Sequence, residues 1–221
     1  MTAERLQRMR ATLDRRQPDL RVMLDQVHKP HNLSAILRTC DAVGALRAHA
    51  VTAHGRISAH RHSSAGAGRW VDVVTHPTLE DGIEAVRAEG FQVCAAHLSG
   101  VARDFRSVDY TVPTVILLGA ELQGVSATGR ELADVHLAVP MMGLAESLNV
   151  SVAAAVILFE AQRQRLAVGL YERPRLDPET YRRTLFEWMQ PKIAAYCRRK
   201  GMTYPPLDEE GGVIWEALRE P

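Results

Sequence analysis

The chain has 221 residues, of which 46% are hydrophobic, and a formal net charge of +1. A chain of this length can bury a substantial core, most simply as one α/β domain with extensions. No apolar run approaches a membrane span, and the arginine-rich start lacks the apolar core of a signal peptide. The three cysteines lie far apart without a Cys-x-x-Cys pair, which favours a reducing cytoplasm and argues against a disulfide framework. The pair His60 and His62 has no third ligand nearby, so we predict no metal site.

Strands and helices alternate along the chain. Helical patterns cover residues 3–16, 33–43, 79–86 and 150–165, with a helical turn region over 122–135 and a small-residue helix or loop at 63–68. Strands are predicted at 20–27, 48–53, 71–75, 91–98, 115–118 and 136–139. This alternation predicts an α/β fold with a mainly parallel sheet.

The basic residues are concentrated at both ends of the chain. Residues 1–21 carry six basic and three acidic side chains, and residues 182–200 carry six and one, whereas residues 22–159 are net −3. Most of the basic residues are arginines, whose planar fork suits phosphate. This pattern favours a polyanionic partner, although a solvated helix face or a genomic bias towards arginine would give the same composition.

The helix after the first strand carries Ser34, Arg38 and Asp41 at the spacing of one polar face. The Asn32 amide lies nearby in the sequence. An arginine there can fork onto a phosphate or a carboxylate. A surface ion pair with Asp41 is the structural alternative.

The stretch 119–124 (GAELQG) directly follows an apolar strand, which is where open α/β sheets bind ligands. It is not a dinucleotide fingerprint, because G-x-G-x-x-G is absent. Glu121 can anchor a partner's amides or a basic residue. It can equally be a carboxylate favoured by a helix dipole.

A third stretch, residues 139–149 (VPMMGLAESLN), stays apolar where a surface loop would be polar. Ser147 and Asn149 are good helix-start residues for the helix that follows. The small residues 153–155 keep one side of that helix thin, which suits a flat, uncharged ligand group. An ordinary buried strand–loop–helix fits the same pattern.

Together and in this order, the three stretches resemble the three motifs of the SpoU (SPOUT-class) RNA 2′-O-ribose methyltransferases. The motif residues are NLSAILRT at 32–39, GAELQG at 119–124, and VPM with SLNVS within 139–151. The resemblance runs over about residues 20–164. The flanking stretches 15–20 (RRQPDL), 26–32 (QVHKPHN) and 160–165 (EAQRQR) look like the branch that methylates guanosine-18 in the D-loop of tRNA.

The resemblance implies a deep trefoil knot, a homodimer packed through the knot helices, and S-adenosylmethionine bound in the knot. We divide the chain into a basic helical N-terminal extension (1–19), a SPOUT methyltransferase domain (20–166) and a basic helical C-terminal extension (167–221). By position, the cofactor is expected to meet Ala96, His97, Leu98, Gly119, Val139, Met141 and Leu148. The catalytic group is expected to comprise Arg38, Asn32, Glu121, Ser147 and Asn149.

Arginine in a protein stays protonated, so we expect Arg38 to act as a cation that gathers phosphate and stabilises a developing alkoxide. A neighbouring phosphate or water can take the proton. Because residues 22–159 are net −3, the terminal segments are expected to supply most of the affinity for RNA, through Arg8, Arg15, Arg16, Arg198, Arg199 and Lys200. The alternatives are the same reaction on ribosomal RNA or a wobble nucleotide, and a non-catalytic RNA-binding module of the same fold.

Overall fold

The computed structural model describes residues 2–52, 69–121 and 123–215. The small-residue stretch at 63–68 and the pair His60 and His62 lie outside these residues. The chain forms two compact units, one of Gln17–Leu170 and one that combines Met1–Arg16 with Tyr171–Pro221. The two terminal segments, considered as separate extensions from the sequence, therefore share one unit.

The larger unit is built on a parallel sheet, as the alternation of strands and helices predicts. Within the described residues it has seven strands in the order β3-β2-β1-β6-β4-β7-β5, and every neighbouring pair is parallel. The strands are β1 Leu20–Asp25, β2 Arg47–Val51, β3 Asp72–His76, β4 Gln92–Ala96, β5 Arg103–Asp104, β6 Thr114–Gly119 and β7 Val135–Ala138. The central strands β1 and β6 are buried along their whole length, which explains the apolar run of β6. β1 also buries two charged residues, Arg21, which pairs with Glu89, and Asp25, which accepts from the Ser126 N–H.

Helices cover both faces of this sheet. The unit contains α2 Pro30–Ala42, α3 Leu79–Ala88, α4 Ala127–Leu132 and α5 Val150–Ala167. On one face α2 packs against α5, and their apolar side chains share a core cluster with β1 and β6. On the other face α3 contributes Leu79, Ile83 and Val86 to a second cluster. The carboxyl ends of the strands are thereby left for loops.

Several predicted boundaries are wrong, mostly at the carboxyl edge of the sheet. β1, β2 and β4 end two residues earlier than their patterns suggest, and α4 is much shorter than the helical region predicted over 122–135. Ser34 does not share an exposed polar face with Arg38, because Ser34 is buried. The two-residue edge strand β5 has no recognisable pattern in the sequence.

The smaller unit contains three helices in the described residues: α1 Ala3–Leu13, α6 Pro178–Met189 and α7 Pro191–Lys200. α6 packs against both α1 and α7. The hydroxyl of Tyr181 donates to Asp14 Oδ1 at 2.9 Å, and the guanidinium of Arg16 lies 5.1 Å from the ring centre of Trp188. Among the helices that the structure describes, none has the length and apolar character needed to cross a membrane.

Candidate active site

The loops that follow β4, β6 and β7 line one cavity of about 740 Å³ at the carboxyl edge of the sheet. All seven residues expected to meet the cofactor lie on its wall: Ala96, His97, Leu98, Gly119, Val139, Met141 and Leu148. Glu121 and Ser147 also line the cavity, and Ala153 of α5 closes part of it. Three loops that are far apart in the sequence therefore share one concave surface.

Gly119 is required by the fold of the loop itself. A Cβ atom at this position would lie 1.9 Å from the carbonyl carbon of Gly124 and 2.0 Å from the amide nitrogen of Val125. The loop folds back so closely because the Gly124 N–H donates to the Ala120 carbonyl at 2.8 Å, and Gly124 itself has φ = +66°. The two glycines of this motif thus shape the cavity wall.

A chain of hydrogen bonds joins the three motifs. The side-chain amide of Asn32, on α2, is 1% exposed and donates to Glu121 Oε1 at 2.6 Å. The amide of Asn149 donates to Asn32 Oδ1 at 3.3 Å. Asn149 also caps α5, since its Oδ1 accepts from the Ser151 N–H at 2.8 Å. Asn149 is therefore the helix-start residue, as predicted, whereas Ser147 lies two residues before the cap.

Glu121 is held in its ionised form. Burial alone would raise the pKa of this carboxyl group. The hydrogen bond from Asn32, backbone hydrogen bonds and the nearby charge of Lys29 together outweigh that effect and leave the pKa of Glu121 below its ordinary value. A carboxylate with a lowered pKa is a weak base and accepts a proton poorly. The fixed position of Glu121 therefore favours a role in orienting neighbouring groups.

Arg38 lies on the exposed side of α2, six residues after Asn32, and does not line the cavity. Within the described part of the chain, its side chain makes no hydrogen bond or ion pair, including with Asp41. Ser147 is exposed at the mouth of the cavity. The site thus combines a cavity of mixed polar and apolar lining with a fixed carboxylate–amide chain, whereas Arg38 lies outside the cavity lining.

The comparisons with known proteins agree with this architecture. A model of the SpoU rRNA Methylase family matches residues 19–159, and a model of the SpoU, rRNA methylase, C-terminal family matches residues 163–216. This chain belongs to the SpoU methylase family. It is 56% identical over 189 residues to a tRNA (guanosine(18)-2′-O)-methyltransferase of Thermus thermophilus, covering 86% of this chain and 97% of that protein.

Two solved structures are similar to this SpoU methylase. The A. aeolicus TrmH/SpoU tRNA modifying enzyme has a TM-score of 0.79 and 44% identity, over 84% of this chain and 94% of that one. The SpoU methyltransferase AviRb from Streptomyces viridochromogenes, in complex with the cofactor AdoMet, has a TM-score of 0.58 and 32% identity, over 70% of this chain and 62% of that one.

One polar pair of this SpoU methylase, next to the cavity residue His97, has no signal in the sequence. Ser99, in the loop after β4, lies with Oγ 3.1 Å from His136 Nδ1, and His136 Nε2 lies 2.8 Å from the Arg130 carbonyl oxygen. The ring of His97 meets the His136 ring edge-on, and burial lowers the pKa of His97, helped by the charges of Arg130 and His136. No motif marks these residues, because their contacts join a loop to a neighbouring strand.

The six basic residues expected to bind RNA fall into different environments. Arg8, Arg15, Arg199 and Lys200 are exposed. Arg198 is exposed but forms an ion pair with Glu187 at 2.9 Å. Arg16 is fully buried beside Trp188, so the expectation that it contacts RNA is wrong for this structure. The methylene groups and the guanidinium of Arg16 pack within the smaller unit.

Proposed function

We propose that this protein transfers a methyl group from S-adenosylmethionine to the ribose 2′-hydroxyl of guanosine-18 in tRNA. The observation that carries the proposal is the carboxylate–amide chain of Glu121, Asn32 and Asn149 at the edge of the cavity, in a SpoU chain that covers nearly the whole of a tRNA guanosine-18 methyltransferase. With tRNA as the substrate, we infer a cytoplasmic location for the enzyme.

The cavity fits the proposed cofactor. Its wall combines apolar side chains, among them Val139, Met141 and Leu148, with backbone groups around Gly119, which suits an adenine ring and the aliphatic part of a methionine chain. The carboxylates of Glu121 and Glu146 lie on the same wall and favour a positively charged ligand. When bound, S-adenosylmethionine supplies an electrophilic methyl group on a sulfonium sulfur.

The residues of the chain then position the ribose and manage charge. The guanidinium cation of Arg38 attracts a phosphate of the RNA and stabilises negative charge that develops on the 2′-oxygen. Asn32 holds Glu121 in place, and Asn149 ties this pair to the start of α5. Ser147 lies at the mouth of the cavity, where its hydroxyl can donate to or accept from the ribose. The proton leaves to a phosphate of the RNA or to water.

A second copy of the chain is part of this proposal. Val152, Phe159 and Leu166 are 46%, 50% and 55% exposed and follow each other at seven-residue intervals along α5, which makes an apolar stripe. Such a stripe supports a homodimer packed through α5. Ala154 does not belong to this surface, because it is fully buried in the core of its own unit.

A deep trefoil knot in the larger unit is the finer fold assignment that we propose. After β7 the chain returns past β4 and β6, since α5 packs against α2 beside β1. In a chain of the SpoU family, such a return across the sheet supports a knot, an arrangement that is otherwise rare. An experimental structure traced without a break from β6 to α5 tests the assignment.

The activity is tested by incubating the protein with methyl-labelled S-adenosylmethionine and two tRNA transcripts. One carries an ordinary guanosine-18 and the other a 2′-deoxyguanosine at that position only. We expect label in the first transcript alone, at that nucleotide. Label in both transcripts, or only in ribosomal RNA or at a wobble nucleotide, contradicts the substrate, and the absence of label from every RNA contradicts catalysis.

A further inference from the structure

We infer that one face of α7, formed by Lys192, Tyr196, Arg199 and Lys200, binds an unpaired nucleotide of the tRNA, with the ring of Tyr196 stacked on the base. This inference rests on the proposed function, which supplies an RNA as the partner. It adds an aromatic contact that neither charge counting nor the sequence motifs indicate. All of its residues lie within the smaller unit.

The four residues share one side of the helix. Tyr196 comes four residues after Lys192, and Arg199 and Lys200 follow three and four residues later, so their side chains span about 100° of the helix surface. All four are exposed, and Tyr196 is 44% exposed although it is an aromatic residue. The opposite side of α7 is buried through Ala194 and Cys197.

Packing and ion pairing within the unit do not account for this face. Within residues 2–52, 69–121 and 123–215, none of the four side chains forms a hydrogen bond or an ion pair. Arg198 contrasts with them, because it lies on another flank of α7 and binds Glu187 and the hydroxyl of Tyr204. The basic residues that bind a partner are therefore separable from the one that holds α7 to its neighbours.

Helix stability does not account for the face either. Cations in the last turn are favoured by the helix dipole, and Arg199 and Lys200 lie there. Lys192 lies in the first turn, where the same dipole disfavours a cation and where α7 has no acidic residue. An exposed tyrosine also gains nothing from the dipole. A polyanionic partner with flat aromatic groups explains both features at once.

An unpaired nucleotide has the chemistry that this face would recognise. Bases in a duplex are stacked on each other, whereas bases in loops and at ends can stack on an aromatic side chain. Lys192 and Lys200 lie about 6 Å before and after Tyr196 along the helix axis. Their long, flexible side chains can therefore reach phosphates on both sides of the stacked nucleotide.

The inference is tested by measuring tRNA affinity over a range of salt concentrations for the wild-type protein and for Tyr196→Leu, Tyr196→Phe and Arg199→Ala. Loss of the ring is expected to weaken binding about tenfold at every salt concentration without changing the salt slope. Tyr196→Phe keeps the ring and is expected to bind like wild type. Arg199→Ala is expected to reduce the slope by just under one, since one phosphate contact is lost.

Two further measurements identify the partner. A blunt RNA duplex offers no unpaired base, so wild type and Tyr196→Leu are expected to bind it equally. The inference is overturned if Tyr196→Leu binds tRNA like wild type, if it loses as much affinity for the duplex, or if only binding to phosphatidylserine vesicles depends on the ring. Wild-type methylation of guanosine-18, assayed in parallel, tests the proposed function separately from this surface.

Discussion

Asn149 donates a hydrogen bond to Oδ1 of Asn32 at 3.3 Å, across 117 positions of the chain. Asn32 in turn donates to Glu121, so its one side chain connects the start of α5 to the loop after β6. Asn32 is 1% exposed and its amide is used at both ends. A substitution there therefore changes the charge balance of the site as well as its geometry.

Asn32→Asp is expected to create a pH-dependent defect. The new carboxylate would face Glu121 across the present 2.6 Å contact, and repulsion between like charges raises the pKa of one member of the pair. The loss of stability relative to wild type is therefore expected to be smaller at low pH, where the pair shares a proton, than at neutral pH. Urea unfolding at pH 5 and pH 8 measures this.

Asn32→Ala is the matched control for that experiment. It removes the same hydrogen bond without adding a charge, so its loss of stability relative to wild type should differ little between the two pH values. If Asn32→Asp and Asn32→Ala show the same pH dependence, the two carboxylates do not interact.

Arg38→Ala is expected to reduce the turnover number for methyl transfer about a hundredfold to a thousandfold, because an electrostatic donor to the reacting oxygen is lost. Affinity for S-adenosylmethionine and thermal stability should stay close to wild type, since Arg38 is exposed and does not line the cavity. Single-turnover kinetics with saturating tRNA measure the effect. Arg103→Ala, at an exposed position of β5, is the control, and equal rates for the two variants would exclude the assigned role.

The buried ion pair between Arg165 and Asp19 is expected to determine the stability of the larger unit. Arg165 Nη1 lies 2.6 Å from Asp19 Oδ1, and the guanidinium also donates to Gln17 and to the carbonyl oxygens of Tyr110 and Val112. Arg165→Met leaves the buried partners unsatisfied, which typically costs about 3–5 kcal/mol. Chemical denaturation measures the free energy of unfolding.

Arg163 provides a control two residues away on the same helix. Its side chain is 67% exposed, and Glu160 keeps a hydrogen bond from Gln164 when Arg163 is replaced, so Arg163→Met should lower the denaturation midpoint much less than Arg165→Met. A similar loss in both variants would mean that the loss of an arginine from α5, rather than its burial, causes the effect.

These contacts also show which parts of the fold can be predicted from the sequence and which cannot. The parallel α/β sheet could be predicted, because hydrophobic runs such as β6 record burial on both faces. The stretches around Gln17 and Arg165 are recognisable only as parts of a family pattern. Their physical reason, a buried guanidinium that joins the start of β1 to the end of α5, depends on a contact over 148 positions. Local periodicity contains no information about such a pair.

The candidate site divides in the same way. The positions on the cavity wall come from the resemblance to the SpoU family, whereas the pair Ser99 and His136 and the burial of Arg16 depend on tertiary packing. Composition counts Arg16 and Arg199 as equal positive charges. Only the fold places one beside Trp188 and the other in solvent.

His49 is expected to make the protein less stable in mild acid. Burial lowers the pKa of this histidine to about 3, assisted by the charges of Arg21, His76 and Arg47. The unfolded chain has the ordinary pKa of about 6.5 and binds a proton first. The contribution of neutral His49 to stability is therefore complete above about pH 6.5 and decreases as the pH falls towards 3.

The measurement is the free energy of unfolding at pH 7 and pH 5 for wild type and for His49→Gln. Each pH unit in this window costs the wild type at most about 1.4 kcal/mol through this one group. His49→Gln does not titrate, so its stability should fall less between the two pH values, even if the variant is less stable at pH 7. Equal decreases in the two proteins would show that His49 is protonated in the folded state.

Phe159→Arg is expected to convert the protein from a dimer to a monomer. Phe159 is half exposed in the middle of the apolar stripe on α5, so a charge there would be buried without a partner when two copies meet. Phe159→Leu keeps an apolar side chain and should remain dimeric. Val112→Arg adds the same charge at an exposed position outside α5 and should also remain dimeric. Sedimentation equilibrium at micromolar concentration distinguishes the species. A dimeric Phe159→Arg protein, or a monomeric wild type, would place the contact between copies elsewhere or remove it.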